Sequence, residues 1–286
     1  MYNPSHLLRV CSVGSSIGRP AGFVDCAGRS CIHRGTHMRI RTTAATVSVV
    51  GALALSVVAA PSAQADGRYG DIAITKVTVN GGANVVVGTS AVKKFSVTIT
   101  AKDDSGIEAA DIDLEGPGFG YLSSSDTRCS GSTCTAKFTV DPKVDLPYSN
   151  DIAGTWYVGA WVDANDGDYI WTEKAKSFKF QRASRLSVNA SPEPVKKGKT
   201  LTVTGKLERA NWDTFKYHGY TKQPVKLQFK KKGAASYTTV KTVTSSSTGT
   251  LKTTVKASSD GHWRYSFAGT STTPAVSAAG DFVDVK

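Results

Sequence analysis

From residue 66 to residue 286, apolar and polar side chains alternate along the chain, and no stretch shows the spacing of an amphipathic helix. Alternation places every second side chain on one face of a strand, so that one face can be buried while the other stays solvated. The clearest runs are residues 95–101, 110–114, 134–140, 156–162, 225–229 and 263–267. The sequence therefore predicts an all-β fold made of many short strands.

Turn-forming residues separate these runs at short intervals, as at Asn80-Gly81-Gly82 and Asp104-Ser105-Gly106. Short strands divided by such turns are typical of β-sandwiches. After Ser184, about seven predicted strands fit into about 100 residues, which is the size of one immunoglobulin-like sandwich. We therefore expect two tandem immunoglobulin-like β-sandwich domains, residues 66–183 and 184–286, that follow a cleaved signal peptide.

Several segments resemble a known family. The stretch 189–198 (NASPEPVKKG), which leads into 201–205 (LTVTG), is similar to the opening of bacterial immunoglobulin-like repeats in secreted actinobacterial proteins. Residues 260–265 (DGHWRY) and 283–286 (VDVK) resemble the last two strands of those repeats. In residues 66–183 the resemblance rests on Gly154-Thr155-Trp156 and on Asp166-Gly167. It implies an exported scaffold or adhesion-type module and supplies no catalytic residues.

Residues 38–65 have the three parts of a secretory signal peptide. A start with Arg39 and Arg41 is followed by an apolar run over residues 49–60, and Ala63-Gln64-Ala65 ends the segment. Positive start, apolar middle and small residues at the cleavage site define such a signal. A membrane-spanning helix needs about 20 apolar residues, more than this run contains. Cleavage after the segment is therefore expected.

The segments on either side of the signal follow from this interpretation. Because a signal should open the chain, we expect translation to begin at Met38 and residues 1–37 to be untranslated or disordered. The mature chain then begins at Asp66 and is secreted to the extracellular medium, with association to the cell wall as a further expectation. In that oxidising environment Cys129 and Cys134 are expected to form one disulfide.

Charge differs between the two predicted domains. Residues 66–183 hold 12 basic and 16 acidic side chains, a net charge of −4, whereas residues 184–286 hold 17 and six, a net charge of +11. A strongly basic surface attracts polyanions. The candidate contact residues lie on two predicted neighbouring strands and just after one of them: Lys226, Lys230, Lys231, Lys232, His262 and Arg264.

The location of an exported protein narrows the partners of this basic part. It meets an anionic cell-wall polymer or polysaccharide first, so nucleic acid is not expected as a partner. The acidic part can also compete for the same basic surface, which would make the protein self-associate head to tail. The alternative interpretation is a charged surface that serves only solubility.

A second candidate surface lies in the first predicted domain. Asp111, Asp113 and Glu115 fall on the outward side of their strand, and Tyr157 and Trp161 fall on the outward side of the strand expected beside it. Aromatic rings pack on the apolar faces of sugars while carboxylates accept hydrogen bonds from hydroxyls. These residues therefore favour carbohydrate binding, with a solvated acidic face as the alternative.

A metal site is not expected. The candidate oxygen ligands are Asp163, Asn165, Asp166 and Asp168, to which Asp103 and Asp104 can contribute. An EF-hand loop has glycine at its sixth position and glutamate at its twelfth, and a loop counted from Asp163 has neither. We therefore predict no metal and no cofactor.

Catalysis also has little support in the sequence. Residues 66–286 contain only two histidines, His218 and His262, and no nucleophile motif or phosphate-binding glycine loop. We therefore predict that the protein is not an enzyme but a secreted binding or scaffold protein of the cell envelope or medium. A carbohydrate-binding module is the first alternative. A small secreted hydrolase is the second, because paired carboxylates need no local motif.

Overall fold

The structure is a computed structural model, and it describes residues 66–146 and 150–286. The predictions made for residues 1–65, which include the signal peptide, its cleavage and the start at Met38, fall outside the described residues. We refer to residues 66–183 as the first half and to residues 184–286 as the second half.

The described residues form strands almost throughout, with two short 3₁₀ turns, η1 (Asn80–Gly82) and η2 (Asn150–Ile152), and no α-helix. No helical segment in these ranges has the length and apolar character needed to cross a membrane. The strands of the first half are β1 (Asp66–Tyr69), β2 (Ala73–Val79), β3 (Val85–Val87), β4 (Lys93–Lys102), β5 (Ile107–Glu115), β6 (Tyr121–Ser123), β7 (Asp126–Ser130), β8 (Thr133–Val140), β9 (Gly154–Ala164) and β10 (Tyr169–Arg182). The strands of the second half are β11 (Ser184–Leu186), β12 (Asn189–Ser191), β13 (Thr200–Asn211), β14 (Lys216–Gly219), β15 (Pro224–Lys231), β16 (Thr238–Thr244), β17 (Thr250–Lys256), β18 (Gly261–Phe267), β19 (Val276–Ser277) and β20 (Asp281–Val283).

Two sheets pack against each other in the first half. One has the strand order β1–β10–β9–β5–β6, with β3 pairing in parallel at the end of β10, and the other has the order β2–β4–β8–β7. The alternating apolar residues of runs 95–101, 110–114, 134–140 and 156–162 point into the core between them, each with at most 8% of its surface exposed. The all-β fold and these strand faces are confirmed.

The second half also encloses a core between two sheets. One sheet is centred on β13, which pairs with β12 and β17 along its first part and with β11 and β14 along its last. The other has the order β16–β15–β18–β19, with β20 also paired to β18. There are ten strands here instead of about seven, because the short strands beside β13 and β18 have too few residues to show alternation.

The predicted disulfide joins the β7–β8 hairpin of the first half. Cys129 and Cys134 are directly opposite each other in the strand register, with their Cα atoms 3.9 Å apart. Gly131 has a φ of 58° in the turn, a conformation that glycine adopts more readily than other residues. Cys134 is buried against the core, so the bridge fastens an edge strand to the centre of its sheet.

The two halves meet at Trp212, which directly follows β13. Its side chain is fully buried, and it lies in the core of the first half instead of its own. The ring meets Phe180 edge-on with 5.7 Å between centroids, and Nε1 donates a hydrogen bond to the Gly88 carbonyl at 2.9 Å. Its backbone N–H donates to Asn150 Oδ1 at 3.0 Å. Trp212 thus belongs to one half by sequence and to the other by packing.

Hydrogen bonds around Arg182 add to this joint. Its Nε donates to the Ala210 carbonyl at 2.7 Å, and its backbone N–H donates to the Thr272 carbonyl at 3.0 Å. Gln181 Nε2 donates to the Thr270 carbonyl at 2.9 Å. Burial, followed by the positive charge of Arg209, lowers the pKa of Arg182 to about 10, which still leaves it charged at neutral pH. A buried, bonded cation therefore ties the end of β10 to two segments of the second half.

Candidate functional site

Most of the candidate polyanion contacts lie on one solvent-facing surface of the β15–β18 pair. Lys230 is opposite His262, and Gln228 is opposite Arg264. Lys226 lies two positions before Gln228 and is exposed. Directly opposed residues share a face of a sheet, so these side chains project together from the strands. The two strands are neighbours, as the sequence pattern indicates.

Two aromatic rings that the sequence analysis missed complete this surface. The Arg264 guanidinium lies 3.7 Å from the Tyr237 ring centroid, and its Nε donates to Gln228 Oε1 at 2.9 Å. Lys230 Nζ lies 5.1 Å from the same centroid. Such cation–π contacts hold the positive groups in fixed positions. Tyr237 precedes β16 in an irregular segment, so no periodic pattern in the sequence indicates its position.

The second ring is Phe282 of β20, which is 36% exposed. It lies beside His262, edge to face, with 5.1 Å between the ring centroids. Its strand pairs with β18, so it extends the same surface by one strand. We call this surface the basic face and define it by Lys226, Gln228, Lys230, Tyr237, His262, Arg264 and Phe282.

Lys231 and Lys232 lie at the end of β15 and just beyond it, outside the centre of the basic face. Lys231 is the last residue of β15, and alternation turns it away from Lys230. Lys232 lies just beyond the strand, where its Nζ is 3.5 Å from Asp260 Oδ2 and 5.9 Å from the Phe282 ring centroid. Only Lys232 therefore reaches the edge of this surface.

A cleft of about 450 Å³ lies beside the basic face, and four lysines line it: Lys197, Lys231, Lys232 and Lys286. It also contains the Asp260 carboxylate, whose Oδ1 accepts a hydrogen bond from the Val285 backbone at 2.9 Å. This bond, followed by the charge of Lys232, lowers the pKa of Asp260, which keeps it ionised. The cleft therefore extends the positive region, although one negative charge lies on its wall.

The candidate carbohydrate residues also share one surface, on the β5–β9 pair of the first half. Asp111 is opposite Trp161, and Glu115 is opposite Tyr157. Asp113 lies between the two carboxylates on the same side of β5. The expected adjacency of these strands is therefore correct. Within the two described ranges, none of the three carboxylates forms an ion pair.

The exposed tryptophan of this surface is the end of a row of stacked rings. Trp161 and Tyr169 stack with 5.0 Å between centroids and 11° between planes, and Tyr169 and Tyr69 stack with 6.0 Å and 18°. Trp161 Nε1 donates to Asp163 Oδ1 at 2.7 Å. Trp161 is 41% exposed and Tyr69 64%. The two tyrosines were missed because their pairing joins strands far apart in sequence.

We call this surface the acidic face and define it by Asp111, Asp113, Glu115, Tyr157, Trp161 and Asp163. The pKa of the neighbouring Tyr121 is raised, first by partial burial of its hydroxyl. The hydrogen bond to Asp113 and the negative charges of Asp113 and Glu115 raise it further. Two cations of β10 lie near it: Lys174, with Nζ 5.2 Å from the Tyr157 ring centroid, and Lys179, which is opposite Thr155 on the same side of the sheet. The potential of this surface is therefore negative.

The candidate metal ligands are only partly brought together. Asp166 and Asp168 lie with Asp103 in a group whose carboxylate oxygens are within 4.8 Å of one another. Asp163 instead accepts the Trp161 hydrogen bond on β9, and Asn165 Nδ2 donates to the Ser105 carbonyl at 2.8 Å. Asp163 is thus outside the group of Asp103, Asp166 and Asp168.

Asp71 is a member of this carboxylate cluster that the sequence did not indicate. Its carboxylate lies with those of Asp103 and Asp104, and its backbone N–H donates to Asp168 Oδ2 at 2.8 Å. The pKa of Asp71 is raised mainly by the negative charge of Asp104. Burial and the negative charges of Asp103 and Asp168 raise it further. Calcium takes six to eight oxygens, and several of these oxygens already accept hydrogen bonds from the fold. The absence of a metal site stays a prediction.

Among known proteins, this chain is similar only to solved structures. No protein-family model matches the chain, and no curated protein matches it. A chimeric titin Z1Z2 functionalised with a decorin peptide is 12% identical, with 75% of this chain and 96% of that chain covered and a TM-score of 0.24. The D0-D1 domain of intimin is 14% identical, with coverages of 74% and 98% and a TM-score of 0.25. A DUF4785 family protein from Legionella pneumophila is 15% identical, with coverages of 66% and 51% and a TM-score of 0.36.

At these identities and TM-scores, the neighbours assign neither a ligand nor an activity to this chain. The antiparallel sheets and their buried faces establish the fold. The two charged faces bring candidate residues together from separate strands, β15 with β18 and β5 with β9.

Proposed function

We propose that this chain is an exported, non-enzymatic binding or scaffold protein of the cell envelope or extracellular medium, and that its basic face binds anionic polymers. The observation that carries the proposal is that the main cations of that face have no carboxylate partner in the described residues. In the described parts of the chain, no carboxylate lies within ion-pair distance of Lys226, Lys230 or Arg264. Their charge is therefore free to act on a ligand.

Preorganisation of these cations also supports the proposal. Tyr237 holds Arg264 on one side of its guanidinium plane, and Gln228 accepts the Nε hydrogen bond. Ordering a long side chain on binding costs about 0.5–1.5 kcal/mol, so a cation that is already held in place loses less free energy when it meets a phosphate or carboxylate. The remaining Nη groups of Arg264 are suited to such anions because guanidinium offers several planar donors.

Chromatography on an immobilised polyanion tests the proposal. The secreted protein should bind heparin or teichoic acid at low salt and elute as salt rises, because exposed charges are screened over a Debye length of about 8 Å at physiological ionic strength. The double variant Lys226→Glu, Lys230→Glu should elute at a much lower salt concentration, since it reverses two charges of the basic face.

A matched control is available on the other sheet of the second half. Lys252 and Lys256 are exposed on β17, and changing both to glutamate alters the net charge by the same amount. That variant should elute close to the unmodified protein. Equal elution of the two double variants would show that retention follows net charge and not the basic face, and would refute the proposal.

A further inference from the structure

In the described residues, none of the carboxylates of the acidic face forms an ion pair. Asp111 and Glu115 are exposed at the two ends of a row, with Asp113 between them. The strand β9 beside them contributes Asp163, and the cations on the neighbouring strand β10 are Lys174, against the Tyr157 ring, and Lys179, opposite Thr155. Like charges side by side on a sheet repel one another, and a cationic partner would relieve that repulsion.

Neutral sugar is not the occupant that this geometry favours. Tyr169 is stacked between Trp161 and Tyr69, so both faces of its ring and one face of Trp161 are already covered, and only the outer faces of the two end rings lie outside the stack. Sugar binding by aromatic residues depends on free ring faces, and a neutral glycan would leave the carboxylate charges uncompensated. A cationic partner that carries aromatic rings of its own would satisfy both features.

The basic face of the same protein has this chemistry. It combines Lys226, Lys230 and Arg264 with the rings of Tyr237 and Phe282. Like the acidic face, it is the outward surface of neighbouring antiparallel strands. Opposite potentials on two such surfaces steer them together and set the orientation of the contact.

We propose that the acidic face is the docking surface for the basic face of a second copy of this chain. The two faces differ, so the contact is heterologous, and repeated heterologous contacts produce open head-to-tail chains unless a rotation closes them. This inference uses the basic face of the proposed function, so an anionic polymer and a second copy compete for one surface. Polymer binding then disassembles the chains.

Sedimentation of the secreted protein at several concentrations tests the inference. At about 0.01 M salt, where the Debye length is about 30 Å, the weight-average mass should rise with concentration. At about 1 M salt, where it is about 3 Å, the protein should be monomeric. Heparin added at low salt should lower the number of protein copies per particle.

Two variants identify the contact. The acidic-face variant Asp111→Lys, Glu115→Lys and the basic-face variant Lys226→Glu, Lys230→Glu should each be monomeric alone. Each keeps one intact face, and the two reversed faces also carry opposite charges, so an equimolar mixture should form a complex of 1:1 stoichiometry that neither variant forms alone. Formation of that complex also shows that both variants are folded.

The outcomes separate this inference from the proposed function. The acidic-face variant should bind the polyanion column at least as tightly as the unmodified protein, whatever happens to assembly. Assembly that survives in this variant, or a mixture without a 1:1 complex, would overturn the inference and leave polyanion binding standing. A protein that is monomeric at all salts and is held by a neutral polysaccharide, with retention lost in Trp161→Ala, would assign the face to sugar instead.

Discussion

Tyr265 is a fully buried residue whose side chain carries a polar hydroxyl group. Its side chain is fully buried in the core of the second half, and its hydroxyl donates a hydrogen bond to the Val203 carbonyl at 3.0 Å. Burial raises the pKa of Tyr265 to about 12, because the core disfavours the charged phenolate. The hydroxyl therefore stabilises the fold only while it stays protonated.

The variant Tyr265→Phe should show a difference in stability that changes sign with pH. Near pH 7 it should be less stable by about 1 kcal/mol, the typical value of one hydrogen bond. The folded pKa of the tyrosine lies above the unfolded value of about 10, so its contribution is complete below pH 10 and is lost as pH rises through about 12. Above that pH the phenylalanine variant should be the more stable protein. Urea unfolding at pH 7, 10 and 12 measures this, and a constant difference would contradict it.

At the scale of elements, the period-two pattern locates the buried side chains well. The inward residues of β4, β5, β8 and β9 follow directly from alternation, because burial on one face of a strand is a local property of the sequence. The neighbours β5–β9 and β15–β18 also follow from the expected sandwich order. Both candidate faces could therefore be outlined before the structure.

Features that depend on register could not be outlined in this way. The stacking of Tyr69 on Tyr169 requires β1 to pair with β10, and the clustering of Asp71 with Asp103 requires two distant turns to meet. Register between distant strands is set by packing of the whole sheet, not by local pattern. Lys231 likewise points away from Lys230, since one step along β15 moves a side chain to the opposite face.

The β7–β8 hairpin carries a prediction of its own. Removing the disulfide by Cys129→Ala, Cys134→Ala should lower stability by about 2 kcal/mol, because the closed loop is short and restricts the unfolded chain only modestly. For a protein of this size the melting temperature should fall by about 4–8 °C. The unmodified protein in reducing agent is the control, since it should show the same fall without a change in sequence. A fall of less than about 1 °C in both would indicate that the bridge adds no stability.

At the scale of the whole molecule, Trp212 decides how the two halves respond to stress. Its ring completes the core of the first half, although the chain on either side of it belongs to the second. Arg182 and Gln181 add buried hydrogen bonds across the same joint. Melting either half therefore removes contacts from the other, and we expect one cooperative unfolding transition for residues 66–286.

The variant Trp212→Ala should uncouple the halves. Loss of a buried tryptophan costs about 3–5 kcal/mol, and here the lost contacts are those that join the two cores. Calorimetry should show a lower melting temperature and a transition that broadens or divides in two. Trp212→Phe is the matched variant, since it fills most of the space but lacks the hydrogen bond to Gly88, and it should keep a single transition. Two transitions in the unmodified protein would contradict this account.

Trp212 also decides which segment of the chain can be transferred to another protein and still fold. A cut between Arg182 and Ser184 would leave one fragment with a hole where the indole was and the other with a large apolar ring on its surface. A gene that carried residues 184–286 into another protein would need a polar replacement at position 212 to yield a soluble product. The piece that can be exchanged by recombination is therefore residues 66–286 together, because each half lacks contacts that the other supplies.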